Sequence, residues 1–209
     1  MTTLATRILD SAFGHPRGAL GRLGGTLMAR GNAETERRMV QIARPAGTDT
    51  VLVLGPGPGI GLLAAGERAA LAIGVDPSET MLDASRRRCA ALLVSGKVEL
   101  RKGTATATGL AADSVEVAFS VNNVQLWSDL PAGMAELARV LRPGGRLLIS
   151  VHDRWAPRSL IEAVTAARFT ELQSWRWEPN SRMAATAFQL RATKLPMPGQ
   201  ACLRTVDGG

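Results

Sequence analysis

The sequence predicts an α/β fold, a doubly wound sheet with helices on both faces. Three observations predict it. Short, unbroken apolar runs such as "TVLVL" and "ALAIGVD" read as strands buried on both sides. Segments with helical apolar period lie between them. The two kinds of segment alternate along the chain instead of segregating, which is the pattern of a mainly parallel sheet.

Residues 1–45 read as helical, interrupted at Gly14, Gly18, Gly21, Gly24 and Gly25. Asn32 is a candidate N-cap for "AETERRMVQIA", in which Met39, Val40, Ile42 and Ala43 form one apolar face. "RPAGTD" turns the chain into a first strand at 50–54. A helix follows from "GIGLLAAGERA", then a second strand at 70–76. "PSETMLDASRRRCAALL" reads as one helix with Pro77 in its first turn. Strands at 98–103 and 114–121 come next. The amphipathic helix 131–141 is expected to stop at "RPGG", ahead of a fifth strand at 146–151. "RSLIEAVTAARF" is a further helix, and "ELQSWRWE" and "AATAFQLRAT" close the chain as a hairpin. Trp175 and Trp177 share one face of the first hairpin strand, which suits burial or a homodimer interface.

With 209 residues the chain can bury a full core, in one domain or a domain with a small lid. No apolar run approaches the roughly 20 residues that span a bilayer. "MTTLATRILDSAFGHPRG" carries no h-region or convincing cleavage site, so no export signal is expected. Cys89 and Cys202 form neither a metal spacing nor a redox pair, and a cytoplasmic location is the simple expectation. The net charge of +7 raises nucleic acid as a partner. All but three of the 25 basic residues are arginine, however, and the densest cluster, "SRRRC" at Ser85–Cys89, falls on a helix. With no aromatic residues interleaved for stacking, it reads as a solvated face.

The candidate ligand site lies at the ends of the first two strands. In a doubly wound sheet, ligands bind outside the carboxyl ends of the strands, where strand order reverses. The loop Gly55-Pro56-Gly57-Pro58-Gly59-Ile60-Gly61 sits there, but its spacing fails the dinucleotide fingerprint in both frames. Pro56 and Pro58 also remove amide donors that a pyrophosphate needs. The loop suits a nucleoside-like ligand without phosphates. Asp76 follows about 20 residues later, at the end of the second strand, where a carboxylate accepts from both hydroxyls of a ribose; it equally reads as a helix N-cap. Pro77 and Met81 offer apolar surface to a base, although Met81 also reads as core.

In this order, "VLVLGPGPGIG", "IGVDPSETML", "VELRKGTA", "FSVNNVQLW" and "ARVLRPGGRLLIS" resemble the class I S-adenosylmethionine-dependent methyltransferases. They are most similar to the small bacterial ubiquinone/menaquinone-biosynthesis-like group. The resemblance implies a Rossmann-like seven-stranded sheet of order 3-2-1-4-5-7-6 with strand 7 antiparallel. It also implies a helical N-terminal lid (1–45) on a single cofactor-binding unit (46–209), with S-adenosylmethionine as cofactor. Carried over, Gly55, Pro56, Gly57 and Gly59 hold the methionine part and Asp76 the ribose. Pro77, Met81, Thr104 and Ala105 take the adenine side, and Asn122 approaches the reactive end. Two positions depart from the family pattern: Val53 stands where an acid is usual, and Gly103-Thr104-Ala105 where "GDA" is usual. Each loss is expected to weaken cofactor binding by about 1 kcal/mol.

For the acceptor the resemblance implies in-line displacement at a methyl group, in which the protein aligns the reactants and excludes water. A base is required only for an acceptor that must lose a proton. His152, beside Asp153, is the catalytic candidate and reads equally as the cap of the next segment. Asn123, Gln125, Trp127 and His15 are candidate pocket residues, although Trp127 also reads as packing. The signatures of base-amino, cytosine C5 and arginine methylation are absent, which favours a small organic acceptor over a macromolecule. Two other readings stand beside this one. A scaffold that has lost methyl transfer is suggested by Val53 and Thr104. A nucleic-acid methyltransferase is suggested only by the charge.

Overall fold

The computed structural model describes residues 32–180 and 185–195. Helix α1 (32–43) precedes β1 (Thr50–Leu54), α2 (Ile60–Gly66), β2 (Leu71–Asp76), α3 (Glu79–Arg88), α4 (Ala90–Val94) and β3 (Val98–Lys102). Then come β4 (Val115–Val121), α5 (Leu130–Val140), β5 (Leu141–His152), α6 (Leu160–Ala166), β6 (Phe169–Trp177) and β7 (Ala187–Lys194). The sheet order is β3-β2-β1-β4-β5-β7-β6. β7 runs antiparallel to both β5 and β6 and every other pair is parallel, as the sequence leads one to expect.

Both faces of the sheet are covered, and β1 shows why its sequence is apolar throughout. Leu52 and Leu54 belong to a cluster with Met134 and Leu137 of α5 and Val164 of α6. Val51 and Val53, offset by one residue, belong to a second cluster with Met39 and Val40 of α1 and Leu62 of α2. The pleat sends alternate side chains to opposite faces, so a strand buried on both sides has no polar position to spare. Each of these fully buried aliphatic side chains contributes roughly 1.5–3 kcal/mol.

Three boundaries differ from the sequence reading. The segment after β2 is two helices, because the chain leaves helical geometry at Cys89 (φ −96°, ψ 15°), a fully buried residue. Its N-cap is Ser78, whose Oγ accepts from the Met81 amide, so Pro77 lies outside the helix and Asp76 does not cap it. β5 begins at Leu141 and not at residue 146. Leu141 pairs with Val115 across a register shift, and Gly144 (φ 78°) absorbs the irregularity, so "RPGG" bends the strand instead of preceding it.

Helix α1 is fastened at several points. Arg146 of β5 donates to the carbonyls of Ala43 and Arg44 at its C-terminal end. Arg38 donates to Gln189 Oε1 at 3.2 Å and lies 4.8 Å from the Trp177 ring, while Trp175 donates to the same Gln189 oxygen. The two tryptophans therefore help seat α1 on β6 and β7. Asn32 is already helical, and its Oδ1 accepts from Asn122 Nδ2 at 2.8 Å. Residues 1–31 of the expected lid (1–45), His15 among them, lie outside the described residues, as does Cys202.

Candidate functional site

Strand order reverses between β1 and β4, and a cavity of about 300 Å³ opens at the carboxyl ends of the strands there. Its wall is built from Leu54, Gly55, Gly57 and Pro58 at the end of β1, Asp76 to Ser78 at the end of β2, Thr104 to Thr106 after β3 and Val121 to Asn123 at the end of β4, with Asn32 and Glu36 of α1 across it. Of the residues singled out from sequence, Gly55, Gly57, Asp76, Pro77, Met81, Thr104, Ala105, Asn122, Asn123 and Trp127 line it. Pro56, Gly59, Gln125 and His152 are absent from the lining.

The glycine loop is rigid for identifiable reasons. Gly55 has φ 70°, and a Cβ there would come within 2.4 Å of Asn123 Nδ2, so both backbone and space demand glycine. Helix α3 then holds three successive loop carbonyls. Ser85 Oγ donates to Gly57 O at 2.8 Å, Arg88 Nε to Pro58 O at 2.7 Å, and the Cys89 thiol lies 3.8 Å from Gly59 O. The "SRRRC" cluster is thus only partly a solvated face: Ser85 and Cys89 are fully buried against the loop, while Arg86 pairs with Asp83 and Glu79 at the surface. Burial also pushes the Cys89 thiol up to about 11, which leaves it protonated and unreactive at neutral pH.

The loop's polar groups explain the kind of ligand it suits. The Gly55 amide donates to Val75 O and the Gly59 amide to Pro56 O, while Pro56 and Pro58 have no amide to give. The Gly61 amide donates to Glu36 Oε2 at 2.6 Å. A phosphate would find these donors occupied and a carboxylate beside them. Space is available all the same, since a Cβ built on Gly57 would meet no protein atom within 4 Å.

Asp76 is 6% exposed and its Oδ1 accepts from the Ser78 amide at 2.8 Å, which fixes the carboxylate at the end of β2. Thr104 and Ala107 form a two-way backbone bridge, so the β3–β4 loop doubles back and presents Thr104 to Thr106 to the cavity. That loop is tied to α5 by Glu136, which accepts from both the amide and the hydroxyl of Thr108. Burial opposes the charge on Glu136, but Arg139 and Thr108 outweigh it and hold the carboxyl down at about 2.

Beyond β4, Asn122 adopts φ 48° and uses its whole amide structurally. Nδ2 donates to Asn32 of α1 and Oδ1 accepts from the His152 amide at 2.8 Å, so one side chain joins α1, β4 and β5 at the mouth of the cavity. Trp127 donates through Nε1 to Asn123 Oδ1 at 2.6 Å, and its ring lies over Gly133 of α5 so closely that a Cβ there would come within 2.6 Å. It is therefore both packing and cavity wall. Two buried polar atoms of the described residues have no hydrogen-bond partner, Gln125 Oε1 and His152 Nδ1. Both residues bond to Asn122, through Gln125 Nε2 to its carbonyl and through the His152 amide. Burial, then the Arg154 charge, lowers the affinity of His152 for its proton, so the imidazole is neutral at pH 7. Its ring stands edge-on to Trp155, with centroids 5.0 Å apart.

Glu36 is the residue that sequence reading missed. It is 7% exposed, lines the cavity, and burial pushes its carboxyl up to about 7 against the pull of the Gly61 amide and of Arg88 and Arg37. The signal was present in the spacing. Glu36, Met39, Val40 and Ala43 fall at i, i+3, i+4 and i+7, which puts a carboxylate on the apolar stripe of α1.

Comparison with known proteins agrees with this geometry. Residues 52–149 match a family described as a methyltransferase domain. The chain is 33% identical over 114 residues to an uncharacterized methyltransferase, YdaC, of Bacillus subtilis, covering 53% of this chain and 60% of that one. It is 33% identical over 128 residues to a demethylmenaquinone methyltransferase of Clavibacter sepedonicus, covering 59% of this chain and 50% of that protein. The chain spans about half the length of the curated relatives it matches. A solved structure of phosphoethanolamine N-methyltransferase 2 from Haemonchus contortus, in complex with phosphomonomethylethanolamine and S-adenosylhomocysteine, aligns with a TM-score of 0.70. The alignment covers 93% of this chain and 61% of that one at 14% identity, a likeness of fold.

Proposed function

We propose that the chain, whose residues 52–149 match a methyltransferase domain, is a class I S-adenosylmethionine-dependent methyltransferase of the ubiquinone/menaquinone-biosynthesis-like type that transfers a methyl group to a small organic acceptor, a reading supported by its similarity to methyltransferases of that kind. What carries the reading is one cavity, at the strand-order reversal, that holds both the glycine loop and the buried Asp76. The residues fit the cofactor on grounds of chemistry. Open space lies beside Gly57, a buried carboxylate ends β2, and the Gly55, Gly59 and Gly61 amides are engaged within the protein, as a ligand without phosphates allows.

S-adenosylmethionine, when bound, supplies an electrophilic methyl group on a sulfonium. Asp76 would accept from the ribose hydroxyls, Gly55 and Gly57 would let the backbone approach the methionine part, and Pro77, Met81, Thr104 and Ala105 would take the adenine side, all of them lining the cavity. Trp127 and Leu126 form the apolar wall that keeps water out, which counts for much in a displacement controlled by alignment. Gln125 and His152 are joined to the cavity through their bonds to Asn122 and do not line it, so no proton-transfer step is assigned to His152.

Turnover tests the reading. Incubation with methyl-labelled S-adenosylmethionine and a panel of phenols, quinols and primary amines is expected to release S-adenosylhomocysteine above the acceptor-free background with at least one class. Tight cofactor binding without product from any class would favour the scaffold reading instead.

A further inference from the structure

We propose that the Glu36 carboxylate, delivered by α1, is a cofactor-binding residue that holds the ammonium of the methionine moiety; this rests on the S-adenosylmethionine reading of the cavity. Glu36 is almost fully buried yet lines the cavity, and its Oε2 accepts from the Gly61 amide. Its position is set by close packing, since a Cβ on Gly61 would come within 3.2 Å of both Glu36 Oε2 and Phe119. A buried carboxylate where the loop enters α2 repels a phosphate and a ligand carboxylate and attracts a cation. The amino-acid end of the cofactor carries one cationic group able to reach it, its ammonium. Val53, where the resemblance leads one to expect an acid, faces the same side of the sheet as α1, so the negative charge absent from β1 is restored from above.

Burial supports the same conclusion. A carboxyl held up near 7 is half protonated in the empty protein at neutral pH, and an ammonium beside it favours the charged form. The charged groups around it are Arg37 on its own helix, Arg88 at the end of α3 and Asp76 across the cavity; α2 presents the Gly61 amide and β4 the uncharged Phe119. Affinity for a ligand bearing an ammonium should therefore rise with pH through about 7 and level off above it.

Calorimetric titration with three ligands separates the possibilities: S-adenosylhomocysteine, its deamino analogue (which keeps the carboxylate and the adenosine), and adenosine. Wild type is expected to prefer S-adenosylhomocysteine over the deamino analogue by about tenfold or more, the scale of a charge-assisted contact. That preference should grow between about pH 6 and about pH 8. Glu36→Gln keeps an oxygen for the Gly61 amide but no charge; it should erase the preference and its pH dependence, leave affinity for adenosine unchanged, and not weaken binding of the deamino analogue, whose carboxylate loses a repelling neighbour. Equal loss for all three ligands, or no loss, would overturn the role of Glu36 while leaving the cofactor reading intact. Failure of wild type to bind any of the three at millimolar concentration would overturn both.

Discussion

At the scale of single residues, the cavity is paid for in stability at one position and stabilised at another. The carboxyl of Glu36 is raised from 4.5 to about 7 by burial, so the unfolded chain loses this proton before the folded protein does. The stability carried by the protonated form is complete below pH 4.5 and disappears as the pH rises through about 7. Glu36→Gln should therefore make the ligand-free protein more stable at about pH 8, by roughly 1–3 kcal/mol, and the gain should vanish in acid. Urea unfolding across this range measures it; a gain independent of pH would contradict the assignment. Asp76 is the opposite case, a carboxylate fixed by the Ser78 amide and buried at the end of β2. Its place at the end of β2 and the turn of the glycine loop were both legible in sequence, because each depends on neighbours close along the chain. Glu36 was not, because its meaning comes from Gly61, 25 residues away.

Between elements, the site depends on three fastenings. α3 grips the loop carbonyls through Ser85 and Arg88, α5 grips the β3–β4 loop through Glu136, and Asn122 joins α1 to β4 and β5. Removing the hydroxyl in Ser85→Ala leaves Gly57 O without this donor and should cost about 1 kcal/mol of stability, with weaker S-adenosylhomocysteine binding. Chemical denaturation and calorimetry on the same variant check both effects. Glu136 has a carboxyl held down at about 2, so the stability it confers is present above 4.5 and is lost as the pH falls toward about 2. Glu136→Gln should flatten the acid limb of the stability profile; an unchanged limb would mean that the clamp contributes nothing. These fastenings explain why boundaries were harder to read than elements. Ser85, Arg88 and Cys89 looked like part of one long exposed helix, whereas contact with the loop buries two of them and the helix ends there. "RPGG" looked like a stop signal, and only pairing of Leu141 with Val115 makes it part of β5.

For the molecule as a whole, the doubly wound class follows from the alternation of apolar strands and amphipathic helices, whereas the sheet order was legible only through the family resemblance. The charge of +7 is less informative than it looked, since basic residues such as Arg38, Arg88, Arg139 and Arg146 make specific internal contacts. Nucleic-acid affinity, if any, should be weak and fall steeply with salt. Tight duplex or single-strand binding at physiological salt would require a different acceptor from the one proposed. The acceptor itself was not legible, because the wall it would meet is assembled from α1 and the turn after β4, which only the fold brings together.

The most direct test of the central claim is calorimetric titration of S-adenosylhomocysteine into wild type and Asp76→Asn. We expect micromolar binding by wild type and a loss of about tenfold or more in the variant, the size of a charged contact to the ribose hydroxyls. Absence of binding by wild type at millimolar ligand, or equal affinity in the two proteins, would contradict the assignment of this cavity to the cofactor.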